Sequence, residues 1–176
     1  MEQELRQAVQ RAERLASTDE LTGLNNRRAF FELGAQVFKQ AKRSGRPISI
    51  IMFDVDRFKQ INDQHGHDIG DETLRALAAC VQPLLRAGDI VGRLGGEEFA
   101  VILPETDLAA ASTVAERLRT AIAAMRLPTA IPAIRCTCSF GVATSTDGAL
   151  DLEALLRHAD KALLRAKRAG RNRIEF

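Results

Sequence analysis

The sequence predicts an α+β fold in which helices flank a largely antiparallel central sheet, with an extra helix at the N-terminus. A continuous apolar run at residues 48–53 is typical of a strand buried on both faces. Apolar runs at 89–94 and 100–103 flank a pair of glycines, which predicts a hairpin. Segments with apolar residues at helical spacing alternate with these strands. From residue 48 the predicted order is therefore β-α-α-β-β-α-β-α with a closing strand.

The first predicted helix, residues 1–16, carries a narrow apolar stripe in a charged segment of about four turns. The stripe consists of Leu5, Ala8, Ala12 and Leu15. Two heptads are too few for an independent coiled coil. The helix either packs on its own domain or is a truncated stalk that pairs with a second copy. A turn-rich linker at 20–26 follows it.

Five further helices are predicted from apolar residues spaced three and four apart. They cover residues 27–44, 57–64, 68–83, 107–125 and 151–168. Gly170 suits the C-terminal cap of the last one.

A strand is predicted over residues 133–144, where apolar and polar residues alternate. Its two cysteines, Cys136 and Cys138, are two residues apart and would face the same side. With Cys80 they make an odd number in apolar surroundings. The sequence therefore predicts buried free thiols rather than a disulfide or a zinc site.

The composition limits the classes of function. With 176 residues, of which 45% are hydrophobic, the chain suits one domain that folds alone. A net charge of +2 gives no general reason to expect nucleic acid or an anionic membrane as a partner. The sequence contains no apolar run of the ~20 residues that a membrane span needs, and no signal-peptide pattern at its start. A cytoplasmic domain is the expectation.

The predicted hairpin turn carries the sequence Gly95-Gly96-Glu97-Glu98-Phe99. Glycines allow a tight turn and the close approach of a large ligand, and the two carboxylates stand where a strand begins. These residues alone predict either a site for a phosphate-bound metal or a hairpin whose tip is merely acidic.

A second pair of acids, Asp54 and Asp56, ends the buried strand. Together with Glu97 and Glu98 they would supply oxygen ligands from two strand ends. Hard oxygen donors with no histidine or cysteine beside them favour magnesium over zinc. For Asp54 and Asp56 alone, the alternative is a solvated strand exit.

Polar residues between the helices 57–64 and 68–83 could recognise a base. Guanine offers adjacent N–H donors that a single carboxylate such as Asp71 can accept, and Asn62 can add a further hydrogen bond. Helix capping is the alternative explanation. Basic residues could neutralise a triphosphate or could form a solvated helix face. They are Lys59, Lys161, Arg165, Lys167, Arg168 and Arg171.

Five segments occur together in an order that resembles the diguanylate cyclase (GGDEF) family, in the variant whose signature reads GGEEF. They begin at Asp19, Asp54, Gly66, Gly95 and Ala159, and the last ends at Asn172. The resemblance covers residues 17–176 and implies a nucleotidyl cyclase palm fold of the ferredoxin-like type. Residues 1–16 would be an N-terminal signalling helix, and an upstream sensor domain would be missing.

The resemblance implies that two GTP molecules are joined into cyclic di-GMP with release of pyrophosphate. Because each protomer would bind one GTP, catalysis would need a homodimer. Magnesium, or alternatively manganese, would be held by Asp54, the carbonyl of Val55 and Glu97. Glu97 would act as the base or only as a metal ligand, with or without help from Glu98.

The resemblance also assigns the nucleotide contacts. Asn62 and Asp71 would bind guanine, with His67 and Phe58 nearby, and Gly95 and Gly96 would leave room for the ligand. Lys59 would stabilise the charge that develops at the phosphate. Lys167 and Arg171 would bind the outer phosphates. In-line attack on a phosphate needs such positioning and charge stabilisation more than covalent chemistry.

Arg86 and Asp89 precede the signature at the spacing of the family's inhibitory product-binding site, and Arg117 is a candidate for a second contact. A surface ion pair is the alternative for Arg86 and Asp89. Leu164 stands where the family usually has tyrosine, which concerns local packing. The alternative function is a catalytically silent domain that senses GTP or cyclic di-GMP.

Overall fold

The computed structural model describes residues 1–127 and 134–176, with the backbone alone for Arg14. Helices and strands follow one another along the chain in nearly the predicted order. Those elements are α1 (Glu2–Ser17), α2 (Arg27–Ser44), β1 (Ile48–Val55), α3 (Phe58–His65), α4 (His67–Val81), a 3₁₀ turn (Gln82–Leu84), β2 (Ile90–Arg93), β3 (Glu98–Pro104), α5 (Leu108–Ala124), β4 (Cys138–Ser145), α6 (Leu152–Arg168) and β5 (Ile174–Glu175).

Within the described residues, the strands form one five-stranded sheet in the order β2-β3-β1-β4-β5. Every pairing is antiparallel except that of β4 with β5, so the predicted sheet is confirmed. In the central strand β1, Phe53 lies opposite Phe99 on one side and Phe140 on the other. Its ring stacks on theirs at centroid distances of 5.5 and 5.0 Å. This apolar layer fixes the backbone one residue before Asp54.

Both faces of the sheet are covered by helices, which explains the unbroken apolar run of β1. Ile51, Phe53 and Val55 face a core formed with α3, α4 and α5. Ile48, Ile50 and Met52 face a second core formed with α2 and α6. Leu164 is 46% exposed and lies outside both cores, so core packing does not depend on it.

Helix α6 lies directly on β4 because Gly141 has no side chain. A Cβ at this position would stand 2.0 Å from the carbonyl oxygen of Ala159. This close approach sets the position of the second half of α6 beside the end of β1.

The strand predicted at 133–144 begins later, at Cys138, and residue 133 lies outside the described residues. The physical reason is the length of β1, which ends at Val55 opposite Cys138 and leaves no strand for residues 134–137 to pair with. Cys136 and Cys138 are buried on the same core face, as predicted, while Cys80 is half-buried. All three are free, and burial raises the pKa of Cys136 to about 11.

Helix α1 extends away from the two cores. Its larger apolar side chains Leu5, Val9 and Leu15 are exposed by 65, 47 and 68%. Its last residues are tied to the start of α2, because the Asn26 backbone N–H donates to the Ser17 carbonyl at 2.9 Å. Among the described residues, no helix combines the length and the apolar character that a membrane crossing requires.

Candidate nucleotide and metal site

A buried carboxylate with one unpaired oxygen lies at the end of β1. Asp54 lies opposite Glu98 on β3 and Ser139 on β4, and its side chain is 8% exposed. One oxygen, Oδ2, forms an ion pair with Lys167 of α6. The other, Oδ1, is buried and has no hydrogen-bond partner among the described residues. A buried acceptor of this kind is costly unless a ligand occupies it.

The charges around Asp54 favour a bound cation. Burial raises the pKa of Asp54 to about 6, against the effect of Lys167, and the nearby carboxylates of Glu97 and Asp56 raise it further. No group of three or more histidine, cysteine or acidic side chains in the described chain could hold a metal ion. Asp54, Glu97 and the carbonyl of Val55 therefore fit magnesium only if phosphate oxygens complete its shell, as is usual for this ion.

The signature turn is held by Arg93, which the sequence analysis missed. Its guanidinium donates to the carbonyl of Gly96 at 2.8 and 3.0 Å and to the carboxylate of Asp19 at 3.2 Å. The Glu98 carbonyl also accepts from the Leu94 N–H at 2.8 Å. The Asp19–Arg93 pair spans 74 residues, so no local pattern could have indicated it.

One predicted reason for the two glycines of this turn is wrong. Neither Gly95 nor Gly96 has a positive φ, so the backbone does not require glycine. A Cβ at Gly96 would meet nothing within 4 Å, and one at Gly95 would be 3.7 Å from Glu98. The space beside both residues lies outside the protein, where it can take a ligand.

The packing of α3 against α4 places Asn62 beside Gly70, the residue before Asp71. A Cβ on Gly70 would stand 1.8 Å from Asn62 Oδ1 and 3.2 Å from the Phe58 ring. Asn62 and Phe58 therefore lie against α4 one residue before Asp71, and His67 is exposed at the start of that helix. The capping alternative does not apply, because Gly66 occupies the cap position shared by both helices.

Asp56 is not available as a metal ligand, contrary to the expectation from the sequence. The residue is 9% exposed, and its carboxylate accepts three hydrogen bonds. Ser139 Oγ donates to Oδ1 at 2.6 Å, while Thr137 Oγ1 and the Asn172 N–H donate to Oδ2 at 2.7 and 3.0 Å. Because all these donors come from the protein, Asp56 joins segments of the chain rather than holding a cation.

The basic residues separate into two groups. Lys167 reaches Asp54, and Lys59 is exposed in the first turn of α3. Arg171 is exposed after α6 and lines a cleft of about 420 Å³ together with Asp56, Arg57 and Asn172. The other basic residues that were candidates for the triphosphate form the solvated face that was the alternative expectation. They are Lys161, Arg165 and Arg168.

Arg86, Asp89 and Arg117 meet at a corner on another part of the surface. The Arg86 N–H donates to Asp89 Oδ2 at 2.9 Å, and its guanidinium lies 3.6 Å from Oδ1. The Arg86 side chain is 66% exposed, whereas that of Asp89 is 3% exposed. Arg117 donates to the carbonyl of Leu84 at 2.6 Å, which brings it beside the Arg86 turn. The corner therefore contains an ion pair and two accessible guanidinium groups.

Comparison with known proteins gives one family. Residues 16–173 match the family described as GGDEF: Diguanylate cyclase, GGDEF domain. The chain is 44% identical over 160 residues to Diguanylate cyclase DgcP of Pseudomonas aeruginosa. The matched region covers 91% of this chain but 24% of DgcP. The chain thus spans about a quarter of that relative's length.

Solved structures of similar proteins have the same fold. The coiled coil and GGDEF domain of DgcB from Caulobacter crescentus, in complex with c-di-GMP, is 31% identical and superposes with a TM-score of 0.91 over 98% of this chain and 92% of that one. The active GGEEF domain of a diguanylate cyclase from Vibrio cholerae is 39% identical and superposes with a TM-score of 0.79 over 85 and 95% of the two chains.

Proposed function

The chain belongs to the GGDEF family, and from this membership we propose that it is a diguanylate cyclase that condenses two GTP molecules into cyclic di-GMP. The observation that carries the proposal is the buried carboxylate of Asp54, with one open oxygen, beside Glu97 and Lys167. This arrangement fits a magnesium–triphosphate complex. The similarity to an active GGEEF domain supports activity with glutamate at position 97.

Asp54, Glu97 and the carbonyl of Val55 would hold magnesium, with manganese as an alternative. When bound, the ion would neutralise charge on the triphosphate and on the leaving pyrophosphate. Lys59 would stabilise the charge that develops at the α-phosphate when the 3′-hydroxyl of the other GTP attacks it. Glu97 would either accept the proton of that hydroxyl or act only as a metal ligand, with Glu98 as a second candidate base.

The remaining residues would bind the nucleotide. Asp71 would accept the two adjacent N–H groups of guanine, and Asn62 would add a further hydrogen bond. Phe58 and His67 would lie beside the base, and Gly95 and Gly96 would leave space for the nucleotide. The outer phosphates would pair with the two cationic side chains near the end of α6, Lys167 and Arg171.

Because two bonds must form between two GTP molecules, the active unit would be a homodimer with one nucleotide on each protomer. The exposed apolar side chains of α1, Leu5, Val9 and Leu15, favour its pairing with the same helix of a second copy. Residues 1–16 would then be a signalling stalk and 17–176 the cyclase domain. For the whole protein we further propose a sensor domain upstream of this stalk. The proposed location is the cytoplasm, where GTP is available.

Arg86, Asp89 and Arg117 would bind cyclic di-GMP as an inhibitor. The product carries two guanines and two phosphates, which guanidinium groups recognise by stacking and by paired hydrogen bonds. Both arginines are accessible at this corner, while the Asp89 carboxylate is fixed by the Arg86 N–H.

Incubation of the chain with GTP and magnesium at increasing protein concentrations, followed by nucleotide chromatography, tests the proposal. We expect cyclic di-GMP and pyrophosphate, with a rate per protomer that rises with protein concentration as dimers form. ATP in place of GTP is the control and should give no product. If GTP binds but remains unconverted at high protein concentration, the chain is a sensor and not a cyclase.

A further inference from the structure

We propose that Asp56 is a positioning residue for nucleotide binding, acting through the loop Gly170–Asn172 that carries Arg171. The inference rests on the proposed function, which places Arg171 on the outer phosphates of GTP. The Asp56 carboxylate itself is turned inward and has all its hydrogen bonds to the protein. Its contribution to binding would therefore be indirect.

The loop after α6 has an unfavourable backbone conformation. Gly170, Arg171 and Asn172 have consecutive φ values of 123, 65 and 43°. For Arg171 this left-handed conformation is costly and persists only where surrounding contacts hold it, whereas asparagine adopts it more readily. The Arg171 N–H donates to the Ala166 carbonyl at 3.0 Å, which ties the loop to the end of α6.

Asp56 supplies the contact on the other side of Arg171. The Asn172 N–H donates to Asp56 Oδ2 at 3.0 Å, so the loop is attached both before and after the guanidinium-bearing residue. An ionised acceptor makes this bond stronger than a neutral one. The Asn172 side chain is also held, because its Oδ1 accepts from Arg119 of α5 at 3.0 Å.

The sheet fixes Asp56 in turn. Ser139 and Thr137, which donate to its carboxylate, lie at and just before the start of β4, the neighbour of β1. The Asp56 N–H also donates to the Thr137 carbonyl at 2.8 Å. A rigid connection therefore runs from the central strands to the loop.

The two acids at the end of β1 thus contact the two cationic parts of the α6 terminus. Asp54 pairs with Lys167 on the helix, and Asp56 holds the loop around Arg171. In the described part of the chain, the Arg171 guanidinium has no hydrogen-bond or ion-pair partner, so it is free to bind an anion. Holding the backbone and leaving the side chain free is the arrangement that reduces the entropy lost on phosphate binding.

The test measures the binding of a non-hydrolysable GTP analogue with magnesium, and separately of GMP, to Asp56→Asn. The substitution keeps the shape but replaces the anionic acceptor with a neutral amide, which weakens the bond to Asn172. We expect the dissociation constant of the GTP analogue to rise about three- to tenfold. That of GMP should stay within about twofold, because GMP lacks the outer phosphates. If the binding of both ligands is weakened equally, as a general loss of structure would cause, the inference is overturned.

A double-mutant cycle with Arg171→Ala shows whether Asp56 acts through Arg171. Arg171→Ala should raise the dissociation constant of the GTP analogue. Adding Asp56→Asn to this variant should then raise it by less than about twofold further. Independent, multiplying effects would contradict the inference, and so would an Arg171→Ala variant that binds the analogue normally. Asp107→Asn is the matched control, since Asp107 also accepts a backbone N–H, at 2.9 Å, but caps α5 at the opposite end of the sheet.

Gly170→Ala provides a second route if Asp56→Asn does not fold. A side chain at φ 123° is strained, so this exposed loop would change conformation without any change in the cores. We expect the same selective loss for the GTP analogue, and unchanged binding would refute the inference. Conversion of GTP by the unaltered chain, measured in parallel, tests the proposed function separately, since the binding comparison does not depend on turnover.

Discussion

The end of β1 and the Arg86 corner both contain acidic and basic groups, but their charges are balanced differently. Asp54 is buried with one oxygen open, and neighbouring Glu97 adds to its unfavourable charge. Asp89 is also buried, yet it accepts from the Arg86 N–H and pairs with the Arg86 side chain. A cation would therefore stabilise the first region, because it would occupy an acceptor that has no partner. A ligand at the second region would have to replace contacts that already exist. This difference fits the roles proposed above, a catalytic centre at the end of β1 and a regulatory site at the Arg86 corner.

The largest effect is expected for the signature acid. Glu97→Gln would remove the proposed carboxylate ligand and candidate base, so turnover should fall by about 100- to 1,000-fold or more. Glu98→Gln is the comparison variant, because Glu98 is the second candidate base and lines a separate surface pocket with Arg27 and Arg157. Initial rates of pyrophosphate release measure both variants. A larger loss in Glu98→Gln would transfer the catalytic role to that residue.

A smaller effect is expected at Asp71, the proposed contact to the guanine base. Asp71→Asn should raise the KM for GTP by about 10- to 100-fold, since guanine donors would face an amide donor. Inosine triphosphate lacks the 2-amino group, so its KM should rise less than that of GTP. The preference for GTP over the inosine nucleotide should therefore shrink. The ratio of kcat/KM for the two nucleotides is the measurement. An unchanged ratio would show that Asp71 does not read the guanine edge.

At the Arg86 corner the catalytic rate should stay constant while its inhibition changes. Arg86→Ala should raise the concentration of cyclic di-GMP that gives half-inhibition by about tenfold, and Arg117→Ala should raise it by less. The initial rates without inhibitor should stay unaltered. Arg46→Ala, which removes another exposed arginine from an ion pair with Glu105, is the control. Inhibition curves at a fixed GTP concentration compare the three variants. Equal inhibition in all of them would leave Arg86 and Asp89 as a surface ion pair.

The smallest effect concerns the stability of the metal-free protein. Because burial raises the pKa of Asp54 to about 6, the folded carboxyl keeps its proton between about pH 4 and 6, where the unfolded one loses it. The unfolding free energy should therefore decrease as pH rises through this window, by on the order of 2 kcal/mol from this group.

Asp54→Asn should remove that part of the pH dependence. Urea unfolding with a chelator at several pH values compares the two proteins, and a slope that survives in Asp54→Asn would assign it to other groups.

Local patterns were sufficient for most of the elements. The apolar run of β1 indicated burial on both faces, and the two cores confirm it. The predicted helix of residues 27–44 has the bounds that the structure gives α2. Residues 134–137 could not be placed correctly, because their alternation resembles a strand while the end of β1 decides whether a partner exists.

The sequence by itself determined the fold class, the family and the identity of the chemical groups, because periodicity and short motifs are properties of neighbouring residues. Only the tertiary structure decided how those groups are used. It gave Asp54 an open oxygen and left Asp56, two residues later, with none. It also tied Arg93 to Asp19 and Asn172 to Asp56, across 74 and 116 residues. Burial and hydrogen bonding depend on which distant segments meet, and no spacing within one segment records that.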